Sequence, residues 1–442
     1  MDYQLFSTAA GRDIRWAQFL ASSLGALYQA IPFDQLVATF PRMSGLGRPP
    51  HLDVRGGIAL QVLKAYLDLS DEKLLDRLNT DWALQYFWGI SLRPAEMIRD
   101  KDLVSRWRRY LARHIDYEVF QQQLALHWQP VMKNTQVVLM DATCYESHLR
   151  HPTDVKLLWE CCEWLWAFID QTCASLRVHK VRRKQDKLYG AYLGYQKRRR
   201  KTHRQEHGIR RRLLRFLHKG LKSWDQVVFE YHPLLRQRDF DRLQTIRNVY
   251  QQQQQRYDDP QAPIPNRIVS LAKPYIRPIV RGKETKSSEF GAKVHVWQSD
   301  GISFVEHLDF NAFNESTRLP ETLRKHARLF GSVHQLGADQ IYATNANRRL
   351  CTFLQIATSF VRKGPKPEQP TPRDQMRSIL SKARASVMEG SFGNDKQHYG
   401  LNKILARTQA TETLWIYFGI WTASAVRVGK RMALEKSTKK AA

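Results

Sequence analysis

The sequence predicts a mixed α/β chain: a helical N-terminal region, then a mixed-sheet domain that a long helical insertion interrupts. Three observations predict it. Apolar residues recur at helical spacing through the first 130 residues. Strand-like runs are confined to residues near 135–143 and beyond 267. Between them, from about 156 to 262, the pattern is helical, polar and rich in Lys, Arg, Gln and Trp. Strands separated by helices around one sheet make an α/β architecture.

The N-terminal region (1–130) is read as a helical DNA-binding or assembly domain. Leu60, Leu63 and Leu67, then Leu74, Leu75 and Leu78, keep a helical period. Ser70 followed by Asp71 and Glu72 marks a helix start, since acids favour the first turn. The uncharged run Ala17 to Phe33 carries Gln18, Ser22, Ser23 and Gln29, too polar for a bilayer span, and reads as one buried or amphipathic helix. The aromatic segment WALQYFWGISL reads as core packing.

A first sheet segment (131–155) contains TQVVLMDAT, β-branched and apolar, as in a buried central strand. The insertion (156–262) follows and ends in DDPQAPIPNR, whose three prolines mark a boundary. The remaining sheet domain (263–428) opens with GAKVHVWQ, a turn at Gly301, and ISFVEHLDF, together a hairpin. LPETLRKHARLFG is a helix, HQLGADQIYA a short strand, the segment from Asn345 a helix, ATSFVRK a strand, and the chain from Arg377 a helix. The order strand, insertion, hairpin, helix, strand, helix, strand, helix is that of an RNase H-like fold. A basic tail (429–442) closes the chain and is expected to fray.

Charge narrows the function. The chain of 442 residues has 70 Lys+Arg against 42 Asp+Glu, a net +28. Such an excess is a footprint for a polyanion, foremost nucleic acid. Between Arg177 and Lys222 there are 18 Lys+Arg against two acids. Lys197, Arg198, Arg199, Arg200 and Lys201, with Arg210, Arg211 and Arg212, are therefore read as phosphate contacts, which position DNA without specifying sequence. Five cysteines show no CxxC or zinc spacing, so packed free thiols are expected. The N-terminus lacks a basic n-region and a cleavage pattern, which predicts a soluble, cytoplasmic protein with no membrane partner.

Three acids stand out: Asp141 in VVLMDAT, Asp339 in LGADQIYAT and Glu389 in MEGSFGNDKQHYGL. The first two end strand-like runs, and the third opens a basic helical segment. An acid within a central strand is costly unless paired or metal-bound. Phosphodiester cleavage by two metals needs carboxylates on neighbouring elements, and Mg²⁺ takes hard oxygen ligands without His or Cys. Lys396 lies seven residues after Glu389, nearly two turns, so both project from one helix face.

The segments DATCYESHLRHPTDVKLL (141–158), KPYIRPIVRGKETKSSEFGAKV (273–294), EHLDFNAFNESTRL (306–319), ADQIYATNANRR (338–349) and EGSFGNDKQHYGLNKI (389–404) resemble the DDE transposases of bacterial insertion sequences, in the group with a PTD element after the first acid. The N-terminal GIALQVLKAYLDLSDEKLLDRL also looks like the helical domain that precedes such cores. The resemblance implies a catalytic, metal-binding triad of Asp141, Asp339 and Glu389 holding two Mg²⁺, with Mn²⁺ able to substitute. It implies binding of terminal inverted repeats, cleavage of double-stranded DNA ends, and joining of 3′ ends to target DNA by transesterification. A homodimer in the synaptic complex and association with the bacterial nucleoid go with it. Many relatives place Tyr and Arg seven and four residues before the Glu; here Lys382 and Ala385 stand there, with Arg384 one step away. Arg384 and Lys396 are read as phosphate contacts. Around the second acid, relatives often have Asp-Arg-Gly-Tyr, and here the run is Asp339, Gln340, Ile341, Tyr342. Asp154 of HPTD reads either as a helix cap or as a neighbour of the metal acids, and Glu146 as an outer acid. Two other functions remain open from sequence: a DNA-binding relative that no longer cuts, and an RNase H-like nuclease selective for branched DNA.

Overall fold

The structure is a computed structural model of the whole chain; it describes residues 9–41, 53–90, 92–93, 96–283, 286–365 and 368–441. The N-terminal MDYQLFS and residues 284–285 of KETKSSEFG lie outside the described residues. The chain opens with helices α1 (Ala9–Ala21), α2 (Ser23–Gln29), α3 (Phe33–Ala38), α4 (Val54–Leu67), α5 (Asp71–Thr80), α6 (Trp82–Trp88), α7 (Leu103–His114) and α8 (Tyr117–Trp128). Ser70 caps α5 as expected, accepting from the Lys73 N–H. The run Ala17 to Phe33 is not one helix. The Ser22 hydroxyl accepts from the Gly25 N–H and starts α2. Gly25 then lies so close to the preceding helix that a Cβ there would sit 2.0 Å from the Phe19 carbonyl oxygen.

Strand β1 (Val137–Ser147) follows, then the helical insertion α9 (Asp154–Ser175), α10 (Gln185–Gln196), α11 (His203–Tyr231) and α12 (Gln237–Asp258). Next come β2 (Pro278–Lys283), β3 (Lys286–Ser299), β4 (Ile302–Asp309), α13 (Leu319–Phe330), β5 (Gln335–Gly337), α14 (Asn345–Phe353) and β6 (Ala357–Thr358). The chain ends with α15 (Pro372–Ala383), α16 (Glu389–His398), β7 (Lys403–Ile404) and α17 (Gln409–Ala441). This is the expected α/β order. The strands run β4-β3-β1-β5-β6, with β1–β5 and β5–β6 parallel and β3–β4 antiparallel. Asp300 and Gly301 both have positive φ (51° and 73°), the two-residue turn that matches the twist of a hairpin. The basic tail continues as helix α17 to Ala441. Among the described residues, no helix is long and apolar enough to cross a membrane.

By packing, the chain forms two compact units. In one, the N-terminal helices and the sheet share a single core: Phe19, Leu60, Phe87 and Trp128 belong to the same apolar cluster as Val138, Phe304, Leu336 and Trp421. Gln121 of α8 strengthens that union. Its amide donates to the Val305 carbonyl and accepts from the Val305 N–H and from Trp421 Nε1. Within EHLDFNAFNESTRL, Arg318 donates to buried Glu306 at 3.0 Å, and Glu315 pairs with Lys293 of β3 at 2.7 Å.

The other unit, 149–291 with 310–312, has its own core around Leu158, Cys162, Trp166, Leu213, Leu217 and Ile246. Asp154 organises it. Thr153 provides the cap of α9, so Asp154 is free to receive Arg267 at 2.7 Å, Gln253 at 3.0 Å and Arg256 at 3.1 Å. All five cysteines are free and buried.

Candidate active site

Asp141 does not end its strand; β1 runs on to Ser147, where Glu146 and Ser147 pair with β7. The pairing with β5, however, ends at Leu139↔Gly337. Asp141 and Asp339 are each two residues beyond that last pair. Residues two apart share a face of the sheet, so the register itself sets the two carboxylates side by side just beyond the point where the β1–β5 pairing ends.

A helix then closes over them. Gly337 has no side chain to hold α15 away: a Cβ there would be 2.6 Å from Leu139 and 2.9 Å from the Leu380 carbonyl oxygen. Arg384, one residue past α15, reaches both acids. Its Nη2 lies 2.9 Å from Asp141 Oδ2 and 3.3 Å from Asp339 Oδ2. Asp141 also accepts from the Ala142 N–H at 2.8 Å, and Asp339 from the Gln340 N–H at 2.7 Å. The side chain of Asp141 is 14% exposed and that of Asp339 51%. Burial pushes the Asp141 carboxyl up; Arg384 pulls it down, while the charges of Glu315 and Asp339 push with burial.

Residues Arg384–Met388 form a π-turn between α15 and α16. A π-turn closes on a hydrogen bond one residue longer than an α-turn and often marks functional sites. Residues five apart across it stand as residues four apart stand in an α-helix. Arg384 is five residues before Glu389, so across this turn the two stand as residues four apart stand in an α-helix. Glu389 itself is exposed at the start of α16 and lies outside the Asp141–Arg384–Asp339 ion pair. Two turns on, Lys396 Nζ is 3.4 Å from Thr143 Oγ1 and lies over the Tyr145 ring. Thr143 and Tyr145 share the face of β1 that carries Asp141.

Two acids escaped the sequence reading. Glu315 acts on Asp141 through its charge; its signal was its place in the NESTRL element. Asp395, next to Lys396, is buried and accepts from the Tyr145 hydroxyl at 3.1 Å. The basic residues of the insertion divide. Lys197 to Lys201 occupy the exposed turn between α10 and α11, not a helix face, and Arg211 and Arg212 are exposed on α11. Arg210 turns inward to Asp154, 3.9 Å away.

Among the described residues, no three His, Cys, Asp or Glu side chains gather closely enough to hold a metal ion. The donors at hand still suit one. Asp141 and Asp339 converge on a single cationic nitrogen, and their hard oxygens are what Mg²⁺ prefers.

Two family models match the chain. A Transposase DDE domain matches residues 336–421, the span that holds Asp339, Arg384, Glu389 and Lys396. A Transposase domain (DUF772) matches residues 17–110, within the helices that precede β1. No curated protein and no solved structure matches.

Proposed function

We propose, from the premise that its two transposase-domain matches make this chain a DDE transposase of an insertion sequence, that Asp141, Asp339 and Glu389 hold the metal ions with which it cuts and joins DNA. The observation that carries this reading is the convergence of Asp141 and Asp339 on Arg384, each two residues past the last β1–β5 pair. Acids so placed are the ligands a phosphodiester reaction requires. Two divalent ions, Mg²⁺ or Mn²⁺, supply Lewis-acid activation of the attacking and leaving oxygens when bound. Asp141 binds from β1, Asp339 from the end of β5, and Glu389 from α16. Lys396, on the face of α16 that meets β1, holds a phosphate beside them. Lys197 to Lys201, Arg211 and Arg212 position the duplex. The terminal inverted repeats are the DNA bound, their 3′ ends are joined to target DNA by transesterification, and a homodimer holds the paired ends.

Asp141→Asn is expected to abolish Mg²⁺-dependent nicking of a transposon-end duplex while leaving binding of that duplex intact. Full cleavage by this variant overturns the assignment. A second reading, a DNA-binding relative that no longer cuts, draws on Glu389 standing outside the ion pair. Nicking by the unaltered chain decides against it.

A further inference from the structure

Arg384 does not project toward solvent as a phosphate contact would. It is only 16% exposed, and one nitrogen serves both acids. Its Nε is buried and, among the described residues, has no hydrogen-bond partner. The nearby Glu315 already has its own cation in Lys293 at 2.7 Å. Among the described residues, the cation that ion-pairs with Asp141 and Asp339 is Arg384. A divalent ion seated between these carboxylates needs the same oxygens, and two cations cannot crowd one acid pair without strong repulsion.

We propose that Arg384 is a built-in counter-cation of the acid pair, which a divalent metal must displace in order to bind. The inference rests on reading Asp141 and Asp339 as metal ligands. The geometry explains how two carboxylates tolerate each other within reach of one nitrogen: the guanidinium screens them. It also gives the arginine a second position. Displaced, it carries its charge on a long stem at the start of the π-turn, where a phosphate oxygen is the natural new partner. Linkage makes the exchange reciprocal. Whatever draws Arg384 off the acids tightens metal binding, and metal binding frees Arg384 for phosphate.

The test is direct Mn²⁺ binding to the full chain without DNA, followed by the loss of the free-ion paramagnetic resonance signal. Arg384→Gln is expected to bind Mn²⁺ on the order of tenfold more tightly than the unaltered chain, within the usual range for coupled sites. Arg384→Lys keeps the charge but replaces the planar guanidinium, whose Nη2 reaches both acids, with a compact, more strongly hydrated ammonium, and is expected to bind a few-fold more tightly. It also serves as the test should Arg384→Gln lose its cooperative melting transition. Unchanged or weaker Mn²⁺ binding in the folded variants overturns the inference. If the unaltered chain binds Mn²⁺ and Asp141→Asn does not, the metal reading stands whatever the arginine variants do. If neither the unaltered chain nor the arginine variants bind Mn²⁺ at millimolar concentration, the metal site itself falls, and this inference with it.

Discussion

A single buried carboxyl shows what one residue can hide. Glu389 and Lys396 drew attention through their spacing, yet the residue between them that is most fixed by its surroundings is Asp395, 3% exposed. In sequence it reads as one more polar residue of a basic helix, because nothing local says which side of α16 faces β1. Burial pushes its carboxyl up to about 7, against the charge of Arg427, the hydrogen bond from Tyr145 and the charge of Lys396. The sign of the stability effect follows. An unfolded aspartate loses its proton near 3.9. Between about 4 and 7 the unfolded chain is ionised at this position while the folded chain keeps the proton, so rising pH favours unfolding across that window. The contribution is fully present below the unfolded value and gone above the folded one. Asp395→Asn cannot titrate. Urea unfolding of both proteins at pH 4.5 and pH 7.5 is expected to show the unaltered chain losing more stability than Asp395→Asn, on the order of 1.4 kcal/mol for each unit the pKa is raised. Parallel pH profiles would refute the account. Asp141 offers the contrast: as an acid in an apolar strand it was legible at once, because an unpaired charge there is too costly to be accidental.

At the scale of elements, the strands and their order were legible because β1 opens on an apolar, β-branched run, the β3–β4 hairpin alternates apolar and polar residues, and its turn carries Asp300-Gly301. The link between α15 and α16 was not. Read as a uniform α-helix, the stretch puts Ala385, not Arg384, four residues before Glu389, and the arginine looks misplaced. The π-turn Arg384–Met388 takes up that residue, and no composition signals such a turn in advance. Register in the sheet had the same standing. Only the pairing Leu139↔Gly337 shows that Asp141 and Asp339 stand level, with about two hundred residues of chain between them. The π-turn makes a prediction of its own. If it is one residue added to an α-helix, deleting Ala385 should let the segment close as α and leave both flanking helices in register. The deletion is then expected to fold with a melting temperature no lower than that of the unaltered chain. Adding an alanine after Ala385 should lower it, since the helix cannot absorb a second extra residue without moving Leu380 or Met388 out of their buried places. A large loss of stability in the deletion, with none in the insertion, would show that the π-turn is required for the packing and not an accommodation.

Over the whole molecule, charge and packing are distributed separately. The N-terminal helices, which a sequence reading sets apart as a domain, share one apolar core with the sheet, whereas the insertion owns a second core. The basic surplus is concentrated in the insertion, with 18 Lys+Arg between Arg177 and Lys222. Not all of it faces outward. Arg210 falls three, four and seven residues before the buried Leu213, Leu214 and Leu217, on the apolar stripe of α11, and it meets Asp154. That period was readable in the sequence, but a run of three arginines obscured it. Lys197 to Lys201 have no such stripe and lie in an exposed turn. The two groups must therefore respond differently to substitution. Replacing Lys197 to Lys201 by alanine is expected to weaken DNA binding and to flatten its salt dependence, by about 0.9 in the slope of log K against log salt for each phosphate that the chain no longer neutralises. The weakening should be similar for transposon-end and unrelated duplexes, because side chains that meet only phosphate position DNA without reading it. Arg210→Ala should leave the slope unchanged and lower the melting temperature instead, since it removes a partner from the buried Asp154. Binding isotherms at several salt concentrations separate the two outcomes. If the five-alanine variant keeps the affinity and slope of the unaltered chain, the exposed turn is not part of the DNA path, and the net charge of +28 must act from elsewhere on the surface.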